Sequence, residues 1–73
     1  MKPTQCYKVL EYMARFGSIT QLDALRDIGC MRLASRISDL RQQGYAIGWR
    51  MAYGKNRYGD DVRFAKYYLI EED

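Results

Sequence analysis

The sequence predicts an α+β domain in which three short helices precede a two-stranded β-hairpin. Apolar residues recur at three- and four-residue spacing before each of three glycines, Gly17, Gly29 and Gly44, which is typical of helices that end at a glycine. After Gly44 the apolar residues alternate with small or charged ones, which is typical of strands. The length of 73 residues allows one small domain with a single core.

The first two helices have clear start signals. Thr4 is the predicted N-cap of a helix that extends to Phe16. Residues 18–20 then form a short extended link, which is long enough for one strand pairing at most. Thr20 starts the second helix, where it forms a capping box with Asp23. The predicted apolar sides are Cys6, Val9, Leu10, Met13 and Phe16 in the first helix, and Leu22, Leu25 and Ile28 in the second.

The third helix is predicted from about Met31 to Gln43. Three apolar residues, Leu33, Ile37 and Leu40, lie on one face of it, as expected for a helix that packs on a core. The predicted opposite face carries hydrogen-bonding side chains, namely Arg32, Ser35, Arg36, Asp39 and Gln43.

The hairpin is predicted to have strands at 46–53 and 62–70, with Gly59 as the positive-φ residue of the turn at 56–60. Alternation in the first strand predicts a half-buried face, and the large aromatic residues are expected in packing roles rather than as platforms for bases. The half-buried face comprises Ile47, Trp49, Met51 and Tyr53, and the packing aromatics are Phe16, Trp49 and Tyr67.

The return strand is apolar on both faces. Ala65, Tyr67 and Leu69 are expected in the core, which leaves Val62, Phe64, Tyr68 and Ile70 exposed. An exposed apolar edge usually marks a partner. We therefore expect contact with a second copy or with another protein through Phe64 and Tyr68.

The order of these elements predicts a winged helix-turn-helix domain at residues 1–70, followed by an acidic tail at 71–73. The glycine turn between the second and third helices is that of a helix-turn-helix unit, and the hairpin that follows is the wing. In such domains the third helix enters the major groove of DNA.

Several function classes are disfavoured by what the sequence lacks. There is no histidine, and the two cysteines, Cys6 and Cys30, do not form a CxxC motif. No catalytic pair, zinc site or glycine-rich phosphate loop can be assembled from these residues. We therefore expect no enzymatic activity, no cofactor and reduced thiols. No apolar run is long enough for a membrane span or a signal peptide, so a cytosolic location is expected.

The charge distribution favours a nucleic-acid partner. The formal net charge is +3, and residues 30–58 contain six basic residues and one acidic residue. Eight of the twelve bases are arginine, the side chain that binds phosphate and guanine bidentately. Charge alone does not separate a DNA-binding surface from an ordinary solvated face.

Candidate DNA contacts follow from this fold. Arg32 and Arg36 are expected to reach guanine edges or phosphates while Ser35 adjusts the register, although Arg32 has an alternative structural role in capping carbonyls. Asp39 either accepts from a cytosine amine or, as we favour, orients Arg36 or Gln43. The wing candidates are Lys55, Asn56, Arg57 and Tyr58, which are also residues that an ordinary exposed turn carries.

The chain also resembles a family of small phage and prophage helix-turn-helix proteins. The similarity covers roughly residues 5 to 69 and rests on Gly17-Ser18-Ile19-Thr20, Ala24-Leu25, Ile28-Gly29, Arg32-Leu33-Ala34, Ile37, Leu40-Arg41, Gly44-Tyr45, Ile47 and Asn56-Arg57-Tyr58-Gly59. The resemblance implies a winged-helix, DNA-binding protein of phage or prophage context, and it supplies no catalytic residue and no target sequence.

The predicted function is therefore binding of double-stranded DNA in a bacterial host cell, as a small transcriptional regulator or an excisionase-like accessory factor. The alternative is a winged-helix module that binds protein, such as a phage inhibitor of a host enzyme or defence complex. The two-faced apolar strand favours that alternative, and the arginine-bearing third helix disfavours it.

Overall fold

The computed structural model describes residues 4–70, and within them the predicted three helices and hairpin are present. The return strand of the hairpin lies at the centre of one antiparallel sheet, between the first hairpin strand and the short link that precedes the second helix. The acidic tail predicted at 71–73 lies outside the described residues. The elements are α1 (Gln5–Phe16), β1 (Ile19–Thr20), α2 (Gln21–Asp23), a π-helical turn (Ala24–Ile28), α3 (Leu33–Gln42), β2 (Ile47–Lys55) and β3 (Asp61–Leu69).

The predicted N-caps of the first two helices are confirmed, whereas α3 begins at Leu33 and not near Met31. The Thr4 hydroxyl accepts a hydrogen bond from the Tyr7 amide at 3.2 Å. Thr20 and Asp23 form the reciprocal capping box, in which each side chain accepts from the other residue's amide at 3.1 Å. These bonds satisfy amides that a helix start otherwise leaves unpaired. The predicted turn glycines all have positive φ, namely Gly17, Gly29, Gly44 and Gly59.

The core lies between the helices and one face of the sheet. The predicted α3 stripe of Leu33, Ile37 and Leu40 is buried in it, and Tyr67 and Leu69 of β3 pack against it as predicted. The link at residues 18–20 contributes β1, which pairs with β3. The buried apolar residues are Val9, Met13, Ile19, Ala24, Cys30, Leu33, Ile37, Leu40 and Ile47.

The predicted apolar side of the second helix is wrong in part. Leu22 and Leu25 are exposed, Ile28 is half-buried, and Ala24 is the residue that is fully buried. The helix changes to π-helical form at Ala24. Because a π-helical turn is wider than an α-helical turn, the residues after Asp23 do not keep the positions that α-helical spacing assigns.

The predicted packing of the first hairpin strand is also wrong in part. Ile47 is buried, but Trp49, Met51 and Tyr53 are exposed at 55%, 39% and 76%. Phe16, predicted in the core, is likewise exposed, and its ring lies 4.6 Å from that of Tyr12. Alternation identifies a strand face but does not reveal how far the helices extend over it.

The second apolar set of the return strand lies on the outer face of the sheet. β1 covers the edge of β3 only at Lys66 and Tyr67, so β3 keeps an open edge along residues 61–65, which include Phe64. Phe64 is partly exposed on this outer face, and Tyr68 is half-buried. The Tyr68 ring covers Gly48, where a Cβ atom would lie 2.7 Å from the ring.

Candidate nucleic-acid interface

A side-chain amide fixes the start of α3 relative to α2. Gln21 accepts a hydrogen bond from the Leu33 amide and donates one to the Cys30 carbonyl, both at 2.9 Å. Directly before Cys30, Gly29 adopts φ 80°, a backbone conformation that glycine adopts with little cost. The amide therefore holds the two helices and the turn between them in one arrangement. Gln21 cannot be recognised from the sequence, because its contact with Leu33 joins residues twelve positions apart.

The start of α3 is connected to the middle of β3 through Gln21. Gln21 directly follows Thr20, which pairs with Lys66 of β3. Gln21, Phe64 and Lys66 line one cavity of about 390 Å³. From Lys66 the hairpin extends further to its turn at residues 56–60.

The Arg32 side chain lies exposed at the start of α3. It occupies the N-cap position of α3, is exposed, and makes no side-chain hydrogen bond or ion pair with residues 4–70. The structural alternative for Arg32, in which it caps carbonyls, is therefore absent there. The amides of Ala34 and Ser35, in the first turn of α3, also have no hydrogen-bond partner in the described chain. Such amides are donors suited to phosphate oxygens.

Arg36 and Asp39 lie beside α1 rather than opposite the core. The Arg36 side chain is 35% exposed, and its Nη2 atom lies 3.4 Å from Asp39 Oδ2. The same carboxylate oxygen accepts from the Cys6 thiol of α1 at 3.9 Å. The Nε atom of Arg36 is buried and has no partner within residues 4–70. The ion pair agrees with the orienting role favoured for Asp39, and placing Arg36 on the opposite face is a correction.

The face of α3 that points away from the core consists mainly of small and uncharged residues. Ala34, Ser38 and Gln42 are exposed at four-residue intervals, with Ser35 half-exposed beside them. Gln43 is exposed just after the last residue of α3. Ser38 and Gln42 were missed by the sequence analysis, although their spacing from Ala34 is a helical signal.

The wing tip divides into residues that shape the turn and residues that are free. The Asn56 amide oxygen accepts from the Tyr58 and Asp60 amides at 2.9 and 3.0 Å. Lys55 pairs with Asp61 at 2.7 Å on the facing strand. Arg57 and Tyr58 are exposed at the tip, and no side-chain contact within residues 4–70 holds them.

Two further bases lie on the outer face of the sheet. Arg50 and Lys66 are directly opposite each other on β2 and β3. Like charges in that arrangement repel each other, which makes the position favourable for an anion. Lys66 was not among the candidates, because the sequence alone does not give the register of the hairpin.

Comparison with known families agrees with this geometry. A family model described as a winged helix-turn-helix domain matches residues 4–72, nearly the whole chain. The chain belongs to this family. Membership suggests DNA binding, and domains of this family are typically non-enzymatic. No match was found among the curated proteins.

Asp23 of α2 and Asp27 of the π-helical turn form one cluster around Arg26. Tyr12 of α1 donates a hydrogen bond to Asp27 at 2.7 Å, and Arg26 pairs with Asp23 and Asp27, each at 3.1 Å. The hydrogen bonds from Arg26 and Tyr12 lower the pKa of Asp27. The bond to Asp27 raises the pKa of Tyr12. These contacts join α1 to the π-helical turn, and Arg26 offsets one of the two carboxylate charges.

The described part of the winged helix-turn-helix domain offers no metal centre. Residues 4–70 contain no group of three His, Cys, Asp or Glu side chains placed to hold an ion. Cys6 and Cys30 are free thiols, and Cys30 is fully buried. No helix between Thr4 and Ile70 has the length and apolarity needed to cross a bilayer.

Proposed function

We propose that this winged helix-turn-helix domain binds double-stranded DNA in the bacterial cytoplasm as a small phage or prophage regulator. Its role there is that of a transcriptional regulator or an excisionase-like accessory factor. The observation that carries the proposal is the position of Arg32 and Arg57. Both are exposed and make no side-chain hydrogen bond or ion pair within residues 4–70, Arg32 at the start of α3 and Arg57 at the tip of the wing.

In this proposal α3 enters the major groove along its Ala34–Ser38–Gln42 face. Small side chains at Ala34 and Ser38 let the helix backbone come close to the base edges, and Gln42 and Gln43 read bases further along. Arg32 and the free amides of Ala34 and Ser35 bind phosphate at the start of the helix.

The remaining candidates act around these contacts. Asp39 holds Arg36 at the side of α3, where Arg36 meets the phosphate backbone beside the groove. In the wing, Arg57 reaches the flanking backbone or minor groove and Tyr58 stacks on sugar. Lys55 and Asn56 keep the tip in shape through their bonds within the hairpin.

Binding at two salt concentrations tests the proposal. We compare the wild type with Arg32→Ala/Arg57→Ala, using fluorescence anisotropy on a pool of duplexes at about 50 and 200 mM salt, where phosphate contacts strongly affect affinity. The matched control is Lys8→Ala/Arg15→Ala, which removes the same charge from the groove between α1 and the π-helical turn. Loss of two phosphate contacts reduces the slope of log affinity against log salt by about 2.

The expected result is a weaker, less salt-dependent complex for the Arg32/Arg57 variant and a nearly unchanged slope for the control. Equal losses in both variants would indicate non-specific charge attraction and contradict the assigned surface. Absence of binding at low salt by folded wild-type protein would contradict DNA binding altogether.

A protein-binding module is the second candidate function. It is favoured by the outer sheet face, where the exposed ring of Phe64 borders the cavity of about 390 Å³ beside Leu22 and Tyr68 lies further along the same strand. A phage inhibitor of a host enzyme or defence complex would use Phe64 and Tyr68 as its contact surface. Phe64→Ala, which leaves the Tyr68–Gly48 contact in place, should then abolish partner capture while DNA affinity stays unchanged.

A further inference from the structure

The outer edge of β2 has unpaired backbone groups. The amides of Ile70 and Asn56 donate to the carbonyls of Ala46 and Asp60, at 2.9 and 3.1 Å. In an antiparallel pair, hydrogen bonds to the neighbouring strand alternate along each strand. The even-numbered residues of β2 therefore bond to β3, and the odd-numbered residues direct their amide and carbonyl groups away from it.

One end of this edge is closed by a side chain. Arg41 donates from Nε and Nη2 to the Ile47 carbonyl, at 3.2 and 2.9 Å. The amide and carbonyl groups of Trp49, Met51 and Tyr53 have no partner within residues 4–70. Their side chains share the sheet face that continues from the core, and all three are exposed.

The other free edge of the hairpin carries two charged side chains, Asp61 and Arg63, whereas the open part of β2 at residues 49–53 carries one, Arg50. β1 pairs with β3 at Tyr67 and Lys66, so the outward groups of β3 near the turn belong to Asp61, Arg63 and Ala65. Charged side chains along an edge prevent pairing with another strand. The open part of the β2 edge carries an aromatic, a methionine and an aromatic in the same positions.

We infer that β2 pairs in antiparallel fashion with β2 of a second copy of this chain, about a two-fold axis at Met51. A two-fold interface requires a self-complementary surface, and this edge has one. Met51 faces the partner's Met51, Trp49 faces the partner's Tyr53, and Arg50 faces the partner's Ala52. Every unpaired amide and carbonyl of Trp49, Met51 and Tyr53 gains a bond, and no two like charges are directly opposite.

The area predicts a reversible dimer rather than an obligate one. An aromatic side chain buries about 150–250 Å² when fully covered, so the exposed parts of Trp49 and Tyr53 offer roughly 200–300 Å² per chain. Stable interfaces bury about 1,200–2,000 Å² in total. Because even twice this area is below that range, the dimer is expected to be weak, to form only at high micromolar concentrations and to dissociate on dilution. This inference does not rest on DNA binding.

Charge substitution at the two-fold axis tests the dimer. In sedimentation velocity from about 1 to 500 μM without DNA, the wild type should shift from monomer to dimer. Met51→Lys and Met51→Glu should each remain monomeric, because each sets two like charges directly opposite each other. An equimolar mixture of the two should dimerise at least as well as the wild type. Leu22→Lys, which adds the same charge at an exposed position on α2, is the matched control and should dimerise normally.

Hydrogen exchange on the wild type gives a second readout that needs no substitution. The amides of Trp49, Met51 and Tyr53 should become protected as protein concentration rises, while those of Arg63 and Ala65 should not. A wild type that stays monomeric at 500 μM, or a dimer that the Met51 variants retain, would overturn the inference.

Discussion

The helical half of the molecule and the outer half of its hairpin are built from similar proportions of apolar residues but use them differently. Between α1 and α3, Val9, Met13, Leu33, Ile37 and Leu40 are almost completely buried. Along the hairpin beyond Gly48, Tyr67 packs against the core, but Trp49, Tyr53, Tyr58 and Phe64 remain substantially exposed. This part of the hairpin is held mainly by the β2–β3 pairing.

This difference separates the residues that stabilise the fold from the residues that are available to bind a partner. Apolar residues in the helical half contribute to the free energy of folding through burial. Those in the outer hairpin gain little from folding, and remain available to a partner. Substitutions in the two halves should therefore have opposite profiles, with large stability effects in one and mainly binding effects in the other.

The largest expected effect is that of Ile37→Ala compared with Tyr53→Ala. Truncating the buried Ile37 should lower the free energy of unfolding by about 2–5 kcal/mol, enough to unfold a domain of this size. Truncating the exposed Tyr53 should change it by about 0.5 kcal/mol or less. Urea denaturation measures both values at a concentration where the chain is monomeric. Equal losses would contradict the division between the halves.

Gln21→Ala should have the next largest effect. Without the side-chain amide, the Leu33 amide and Cys30 carbonyl lose their partners, at a cost of about 1–3 kcal/mol. Gln21→Glu keeps an acceptor for Leu33 and should lose less. Thermal denaturation of the two variants compares them. If alanine and glutamate are equivalent, the contact does not fix the start of α3.

Gly48→Ala tests the close contact between Gly48 and the Tyr68 ring within the hairpin. A Cβ at this position would lie 2.7 Å from the Tyr68 ring, and such overpacking costs about 1–3 kcal/mol. The ring is half-exposed and can shift, so the lower end is expected. In a Tyr68→Ala background the same substitution should cost almost nothing. A double-mutant cycle measures the coupling, and additive losses would mean that the ring does not constrain residue 48.

The smallest expected effect is the pH dependence of the contact between α1 and the π-helical turn. The pKa of Asp27 is lowered from 3.8, so its contribution is present above that pH and is lost as the pH falls through the folded-state value. The pKa of Tyr12 is raised from 10.0, so its contribution is present below that pH and is lost as the pH rises through the folded-state value. Urea midpoints of wild type and Tyr12→Phe should differ most at neutral pH and converge in acid and in base. A difference that is constant from pH 3 to 11 would exclude this contact as its source.

The sequence predicts the helices and strands well because their signals are local. Thr4, the Thr20–Asp23 box and the turn glycines each act within a few residues. Long-range contacts were out of reach, and Gln21 bonded to Leu33 is the clearest case. The exposure of Trp49 and Tyr53 was missed for a related reason, since alternation gives the face of a strand but not what covers it.

The candidate site was predicted in part. The sequence suffices to select α3 and the wing, and Arg32 and Arg57 are exposed as that selection requires. It does not distinguish them from Arg36 or Asn56, whose side chains are held by Asp39 and by the turn. That distinction depends on which polar groups find partners within the fold.

The most direct test of the central claim is an NMR titration of the labelled protein with duplex DNA. The account predicts amide shift changes concentrated at residues 32–38 and 55–60, with the amides of Tyr12, Arg26 and Asp27 unaffected. Shift changes centred on the groove between α1 and the π-helical turn, with α3 and the wing tip unchanged, would contradict it.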